Sequence, residues 1–85
     1  MSNAEIFKAL SDPCRREILT KLKKKRMSAG EIVSCFDMSG ATISYHLKIL
    51  KEAKLIKEEK EKNFIFYSLN PSTIQNAIKW LNKMI

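Results

Sequence analysis

The chain has 85 residues and carries 16 Lys and Arg against nine Asp and Glu, which gives a formal net charge of +7. Two cysteines exclude a disulfide framework, no apolar run approaches the ~18 residues of a membrane span, and the start of the chain lacks a basic signal-peptide region. We therefore expect one cytoplasmic domain over residues 1–85. Its excess of basic residues favours nucleic acid as the partner over an anionic membrane surface, and over the alternative that the charge only keeps the protein soluble.

Two short amphipathic helices are predicted at the start of the chain. The first covers residues 3–10. Asp12 is expected to cap a second helix that begins at Pro13 and ends in the basic residues 23–26. Apolar residues of the second helix recur at helical spacing: Cys14, Ile18, Leu19 and Leu22.

A tight turn is predicted between a short third helix and a longer fourth helix. Ser28 and Glu31 have the spacing of a capping box for the third helix, over residues 28–36. Ser39 is expected to cap the fourth helix, which runs to about residue 53. The core face of the fourth helix consists of three residues: Ile43, Leu47 and Leu50.

The sequence pattern changes to strand-like composition and alternation after the fourth helix. Two strands are predicted over residues 55–60 and 63–69, with Asn63 able to take a left-handed conformation in the charged turn. Asn70 is expected to cap a last helix that begins at Pro71. The predicted architecture is mainly α (α+β), in the order α-α-α-α-β-β-α, which is typical of a winged helix-turn-helix.

The side of the fourth helix opposite its core face is small and polar near the N-terminus. In a helix-turn-helix, the second helix enters the major groove with its N-terminal residues against base edges. The residues expected to contact DNA on this helix are Ser39, Gly40, Ala41, Thr42, Ser44, Tyr45 and His46. Lysines on this helix and the hairpin are expected to bind phosphates: Lys48, Lys51, Lys57, Lys60 and Lys62. Three glutamates in the hairpin weaken that basic field.

Three stretches of the sequence, residues 7–22, 27–56 and 64–71, resemble the ArsR family of winged helix-turn-helix repressors. The motifs ALSDPxRREIL and SxHLxxL carry the resemblance, and the length suggests a short member of the family. The resemblance implies a homodimer on a palindromic operator, joined through its first and last helices. The apolar residues that would form this interface, or otherwise only complete the protomer's core, are Ile6, Phe7, Leu10, Ile74, Ile78, Leu81 and Ile85.

The metal sites known in such repressors are not matched by this sequence. One uses two cysteines at positions that correspond to Ser28 and Gly30, and the other uses Asp, His and Glu, none of which occurs in residues 71–85. We therefore expect neither a metal nor a cofactor. A thiol-responsive repressor is the alternative, because two arginines follow Cys14 and would lower its pKa, with Cys35 as the second thiol.

Other function classes fit the residues less well. The single histidine and two glycines leave no catalytic triad or phosphate-binding loop, so we expect no enzyme and no catalytic residue. A winged-helix protein-interaction module is the main rival to a DNA-binding repressor. We expect a repressor that excludes RNA polymerase by occupying its operator and that regulates its own gene. The sequence leaves open the operator sequence, the regulated genes and the release step, which a ligand, a sequestering protein or dilution would each provide.

Overall fold

The structure, a computed structural model, describes residues 3–85, which form five helices and a three-stranded sheet. In chain order the elements are α1 (Asn3–Leu10), α2 (Pro13–Lys24), β1 (Met27–Ser28), α3 (Ala29–Ser34), α4 (Gly40–Glu52), β2 (Ile56–Glu61), β3 (Phe64–Leu69) and α5 (Pro71–Asn82). The predicted order of helices and hairpin is confirmed, and β1 is an addition. None of the helices within this part of the chain has the length and apolar character needed to cross a bilayer.

Side chains that bind free backbone N–H groups begin three of the helices, as the sequence predicts. Oδ1 of Asp12 accepts two N–H groups in the first turn of α2. Ser28 and Glu31 form the reciprocal capping box of α3, and the Ser39 hydroxyl accepts an N–H group of α4. Asn70 occupies the N-cap position of α5, but its side chain makes no capping hydrogen bond.

The sheet is antiparallel in the order β1-β3-β2. Pairing of Glu61 with Phe64 closes the hairpin around Lys62 and Asn63. Lys62, with φ 57°, takes the left-handed conformation that we expected of Asn63, because the first strand continues one residue further than predicted and makes Lys62 the first residue of the turn.

The core lies where α1, α2 and α4 pack together and against the sheet. Ile43, Leu47 and Leu50 are buried in it, which confirms the predicted inner face of α4. On α2 the pattern differs, because Arg15 is buried while Cys14 is only half-buried. An arginine is seldom buried without partners, so its hydrogen bonds bear directly on the site described below.

The first and last helices leave part of their apolar surface uncovered. Ile6 is 1% exposed within the protomer, so the expectation that it faces a second copy is corrected. Phe7 is half-buried and packs on Trp80, with their ring centroids 5.6 Å apart. Several large apolar residues at the end of the chain are exposed: Ile78, Leu81, Met84 and Ile85.

Candidate nucleic-acid interface

The N-terminus of α4 is built by the turn that follows α3. The Ser39 hydroxyl accepts the backbone N–H of Thr42 at 3.1 Å and lies 2.9 Å from the Thr42 hydroxyl. This arrangement fixes the first turn of α4 while leaving its end open to solvent. An exposed helix N-terminus attracts anions, because its backbone N–H groups and dipole present partial positive charge.

Small and polar side chains occupy the exposed side of α4. Ala41, Ser44 and Lys48 are exposed, and Tyr45 is 60% exposed. A Cβ atom placed on Gly40 would meet no atom of the protomer within 4 Å. The protomer's own packing therefore does not require a glycine there, and the space in front of it is free for another molecule.

His46 does not share this exposed side, although we expected it to contact DNA. It is 8% exposed, and its Nδ1 lies 3.2 Å from Nη1 of Arg15. A guanidinium can only donate, so Nδ1 must accept. Arg15 also donates to the carbonyl oxygens of Ala9 and Lys8 at 2.8 and 3.2 Å. The expectation for His46 is corrected, because the inward contact with Arg15 turns the ring away from the helix surface.

The glutamates of the hairpin are paired with basic residues. Glu58 accepts from Lys51 at 3.1 Å, while Glu59 and Glu61 accept from Arg26 at 3.1 and 2.7 Å. Exposed pairs of this kind are screened by water and contribute little to stability. Their effect on charge is more important here. The pair with Glu58 partly neutralises Lys51, which the sequence predicts to bind phosphate.

The remaining lysines of the hairpin lie on different faces. Side chains alternate along a strand, so Lys60 shares the face of Glu58, which lies toward α4 through the contact with Lys51. Lys57 lies on the other face. Lys62 is exposed at the tip of the hairpin, and Lys48 is exposed on α4. Lys48 and Lys60 therefore lie on the side of the hairpin that faces α4, Lys57 lies on the opposite side, and Lys62 extends from the tip.

A shallow pocket of about 160 Å³ separates α4 from the hairpin. Burial raises the pKa of Tyr67, and the neighbouring Glu58 carboxylate raises it further. The Tyr67 hydroxyl therefore stays neutral at physiological pH and remains a hydrogen-bond donor. The residues that line the pocket are Ala29, Ser44, Leu47, Lys48, Lys51 and Tyr67.

The structure also brings His46 next to two potential metal ligands at the start of α2, more than thirty positions earlier in the sequence. Asp12, Cys14 and His46 each place one ligand atom within 4.8 Å of the others. Sequence reasoning missed this cluster, because it tested only the known metal sites of similar repressors. It also expected a lowered pKa at Cys14, whereas burial and the nearby Asp12 carboxylate raise the pKa of that thiol. Cys14 and Cys35 are both free thiols.

The chain is similar in sequence to known helix-turn-helix proteins. A family described as a helix-turn-helix domain matches residues 10–59. The transcriptional repressor SdpR of Bacillus subtilis (strain 168) is 46% identical over 80 residues, which cover 94% of this chain and 89% of that protein. The arsenical resistance operon repressor of Staphylococcus aureus is 35% identical over 77 residues, which cover 91% of this chain and 74% of that protein.

Solved structures show the same fold. An ArsR-like transcriptional regulator from Rhodococcus sp. RHA1 superposes with a TM-score of 0.87 at 30% sequence identity, covering 95% of this chain and 76% of that one. The match includes both the helix-turn-helix and the hairpin, since so large a share of the chain is covered. α3, the tight turn and α4 all lie within the residues that match the helix-turn-helix family.

Proposed function

We propose that this chain, which belongs to the ArsR family of winged helix-turn-helix DNA-binding transcriptional regulators, acts as a homodimeric repressor that binds an inverted-repeat operator. The observation that carries the proposal is the two-sided character of α4. Its inner side is packed in the core, while its outer side is small, polar and exposed beside a hairpin that carries three lysines. We propose that residues 1–85 act as a single DNA-binding domain of this kind.

Base recognition is assigned to the exposed N-terminal half of α4. Small residues there allow the backbone to approach the groove, and the hydroxyls and the phenol bind base edges or phosphates. His46 supports this surface from behind as the partner of Arg15, and Ser39 caps α4 at its exposed N-terminus. The proposed contact residues are Gly40, Ala41, Thr42, Ser44 and Tyr45.

Phosphate binding is assigned to three lysines that flank this half of α4. Lys48 is exposed on α4, Lys60 lies on the face of the hairpin toward α4, and Lys62 is exposed at the tip, whereas Lys51 is paired with Glu58. Six such contacts in a dimer would give a slope of log affinity against log salt of about −5. The lysines supply affinity without sequence preference, and the residues of α4 supply the preference.

Dimerisation is assigned to the apolar surface that α1 and α5 leave uncovered. Ile78, Leu81 and Ile85 are exposed, and the packed pair of Phe7 and Trp80 extends the same surface toward α1. A contiguous apolar surface on a small domain marks an interaction site. A two-fold axis through α5 would present two copies of α4 to successive major grooves, about 34 Å apart. Leu10 and Ile74, which are half-buried against the core, would add their exposed parts to the interface.

Repression would follow from occupation of the operator, which excludes RNA polymerase. An operator in front of the protein's own gene would make the repressor autoregulatory. This mechanism requires neither a cofactor nor catalysis, and it places the protein in the cytoplasm with the chromosome.

Fluorescence anisotropy tests the proposal with a duplex from the gene's own upstream region, a scrambled duplex and a salt series. We expect a preference of ~10³ or more for the native duplex and two protomers per duplex. Tyr45→Ala should reduce that preference without unfolding the protein, because Tyr45 is 60% exposed. Equal binding to both duplexes would contradict autoregulation. Absence of binding at low salt would contradict the whole proposal and favour a protein-interaction module.

A further inference from the structure

The cluster of Asp12, Cys14 and His46 lies where the start of α2 meets the middle of α4. Asp12 is the N-cap of α2, Cys14 stands in its first turn, and His46 is in the recognition helix. Their ligand atoms lie within 4.8 Å of one another. We propose that these three residues bind a thiophilic divalent cation of the Zn²⁺ class, at a site that joins α2 to the recognition helix.

The spacing of the three ligand atoms is close to that of a tetrahedral site. Zn²⁺ binds oxygen, nitrogen and sulfur at about 2.0 to 2.3 Å, which places tetrahedral ligand atoms about 3.3 to 3.7 Å apart. Closing from at most 4.8 Å to that separation requires movements of about 1 Å. Asp12 and Cys14 are only half-buried, so rotation of their side chains can supply such movements and solvent can deliver the ion.

Asp12 can serve the helix and the ion at the same time. Both of its capping hydrogen bonds, from the N–H groups of Cys14 and Arg15, use Oδ1. Oδ2 is therefore left to bind a cation without loss of the cap. The backbone hydrogen bond from Arg15 keeps the pKa of the Asp12 carboxyl below its usual value, so the group is anionic at neutral pH.

Cys14 supplies the ligand that selects the type of metal. A thiolate favours Zn²⁺ and similar thiophilic ions over Mg²⁺ or Ca²⁺. The thiol lies 3.6 Å from the thioether sulfur of Met38, in the turn before α4, so the surroundings contain a second soft donor. When the cation binds, the Cys14 proton passes to solvent and the sulfur forms the metal bond. Met38 or a water molecule completes the fourth position.

Arg15 and the cation would compete for the same histidine, which lies in the recognition helix. Nδ1 of His46 accepts from Arg15, so the proton of the neutral ring is on Nε2. A cation at Nδ1 would displace Arg15 directly. A cation at Nε2 would move the proton to Nδ1, which could then no longer accept. Whichever nitrogen binds, occupation of the site and the contact between Arg15 and His46 exclude each other.

The charges within the site balance. One carboxylate and one thiolate neutralise a divalent cation, so the guanidinium of Arg15 would face a neutral complex instead of an uncompensated dication. Arg15 would keep its bonds to the carbonyl oxygens of Ala9 and Lys8. The cation therefore replaces the hydrogen bond between Arg15 and His46 by a metal link from Asp12 and Cys14 to His46, while Arg15 stays bonded to α1. This exchange changes how α4 is held against α2, which is a structural change suited to altering DNA affinity. This last step rests on the proposed DNA-binding function.

Cobalt binding to the reduced protein tests the site in the absence of DNA. Co²⁺ shows a thiolate charge-transfer band in the near ultraviolet and intensified visible bands when tetrahedral. We expect both bands at one equivalent of Co²⁺, with loss of the bands on addition of Zn²⁺. Cys14→Ser should abolish the charge-transfer band, whereas Cys35→Ser, on the exposed second thiol, should leave it unchanged. A band that survives Cys14→Ser, or no band at all, would overturn the site.

The Asp12→Asn variant tests metal binding by Asp12 separately from its role in folding. Asparagine is an equally good N-cap but a poor metal ligand, so the melting temperature should be kept while Co²⁺ affinity falls tenfold or more. Unchanged Co²⁺ affinity would remove Asp12 from the site and overturn the three-residue proposal.

The coupling to DNA has its own measurement. Operator affinity is compared with and without Zn²⁺ for the unaltered chain and for both cysteine variants. We expect Zn²⁺ to change affinity at least fivefold in the unaltered chain and in Cys35→Ser, but not in Cys14→Ser. Unchanged affinity in a protein that binds Co²⁺ would overturn the coupling alone. Failure to bind DNA at all would contradict the proposed function and leave the cobalt result standing.

Discussion

Nη1 of Arg15 lies 3.2 Å from Nδ1 of His46, and this contact joins the start of α2 to the middle of α4. The same guanidinium donates to Ala9 and Lys8 at the end of α1. A guanidinium carries five N–H donors in a planar fork, which suits it to serve several acceptors at once. Three helices thus meet at one buried side chain, which links α4 to α1 and α2 by hydrogen bonds.

Arg15→Ala should destabilise the protein by about 2–4 kcal/mol, because it leaves buried acceptors on α1 and α4 without a donor. Arg16→Ala is the matched control, since Arg16 is exposed and donates only to the Leu10 carbonyl oxygen. We expect that control to stay within about 0.5 kcal/mol of the unaltered protein. Urea unfolding measures both variants, and equal effects would contradict the role given to Arg15.

The sequence was sufficient where the structural signal is local. The caps at Asp12, Ser28 and Ser39 and the inner face of α4 depend on residues within one or two turns, so their spacing predicts them. The inward turn of His46 depends on Arg15, 31 positions earlier in the chain. Periodicity assigns a residue to the flank of a helix, but it cannot show which distant side chain meets it there.

Sequence patterns are equally limited for the sheet and for the proposed dimer surface. β1 has only two residues, and its partner strand lies almost forty positions later, so no alternation pattern marks it. Ile6 and Ile78 look equivalent as members of apolar stripes, yet Ile6 is 1% exposed and Ile78 is 50% exposed. Their exposed fractions differ because α1 packs against the rest of the core, and this packing is not visible in the sequence pattern.

Gly40→Ala should preserve or slightly raise stability while weakening operator binding. A Cβ atom at Gly40 meets nothing in the protomer, and alanine favours a helix by up to about 1 kcal/mol over glycine. A tenfold or larger loss of operator affinity would show that DNA fills the space in front of this position. Gly30→Ala, at a position equally open, should leave affinity nearly unchanged. Similar affinities for the two variants would contradict close approach at Gly40.

Lys60→Ala should weaken binding to native and scrambled duplexes by the same factor, because a phosphate contact carries no sequence information. Loss of one contact per protomer should also reduce the salt slope by about 2 in a dimer. Lys57→Ala removes the same charge from the other face of β2 and should have a smaller effect. A change in which duplex is preferred would mean that the hairpin reads bases.

Ile78→Asp should separate the dimer without unfolding the protomer, because it places a charge on the exposed apolar side of α5. Asn76→Asp adds the same charge on an exposed position of the helix that lies away from the apolar stripe. Sedimentation analysis should give a monomer for the first variant and a dimer for the second. Two dimers, or a monomeric unaltered protein, would contradict the interface proposed for α5.

The capping box of α3 should contribute a pH-dependent part of the stability. Oε1 of Glu31 accepts the backbone N–H of Ser28 at 2.9 Å, and this bond, with the Ser28 side chain, lowers the pKa of Glu31 from its ordinary 4.5. A carboxyl with a lowered folded-state pKa stabilises the fold above its unfolded value and loses that effect as pH falls through the folded value. Its contribution is therefore complete at neutral pH.

Glu31→Gln removes this titration, because glutamine keeps an oxygen acceptor at every pH. Thermal unfolding from about pH 7 to pH 3 should show the unaltered protein more stable at neutral pH, where only it has a charged acceptor. The difference in melting temperature between the unaltered protein and Glu31→Gln should begin to shrink as the pH falls below 4.5. It should continue to shrink at lower pH, because the pKa of Glu31 in the folded protein lies below that value. A difference that stays constant or widens toward acid pH would show that Glu31 does not stabilise α3 through its charge.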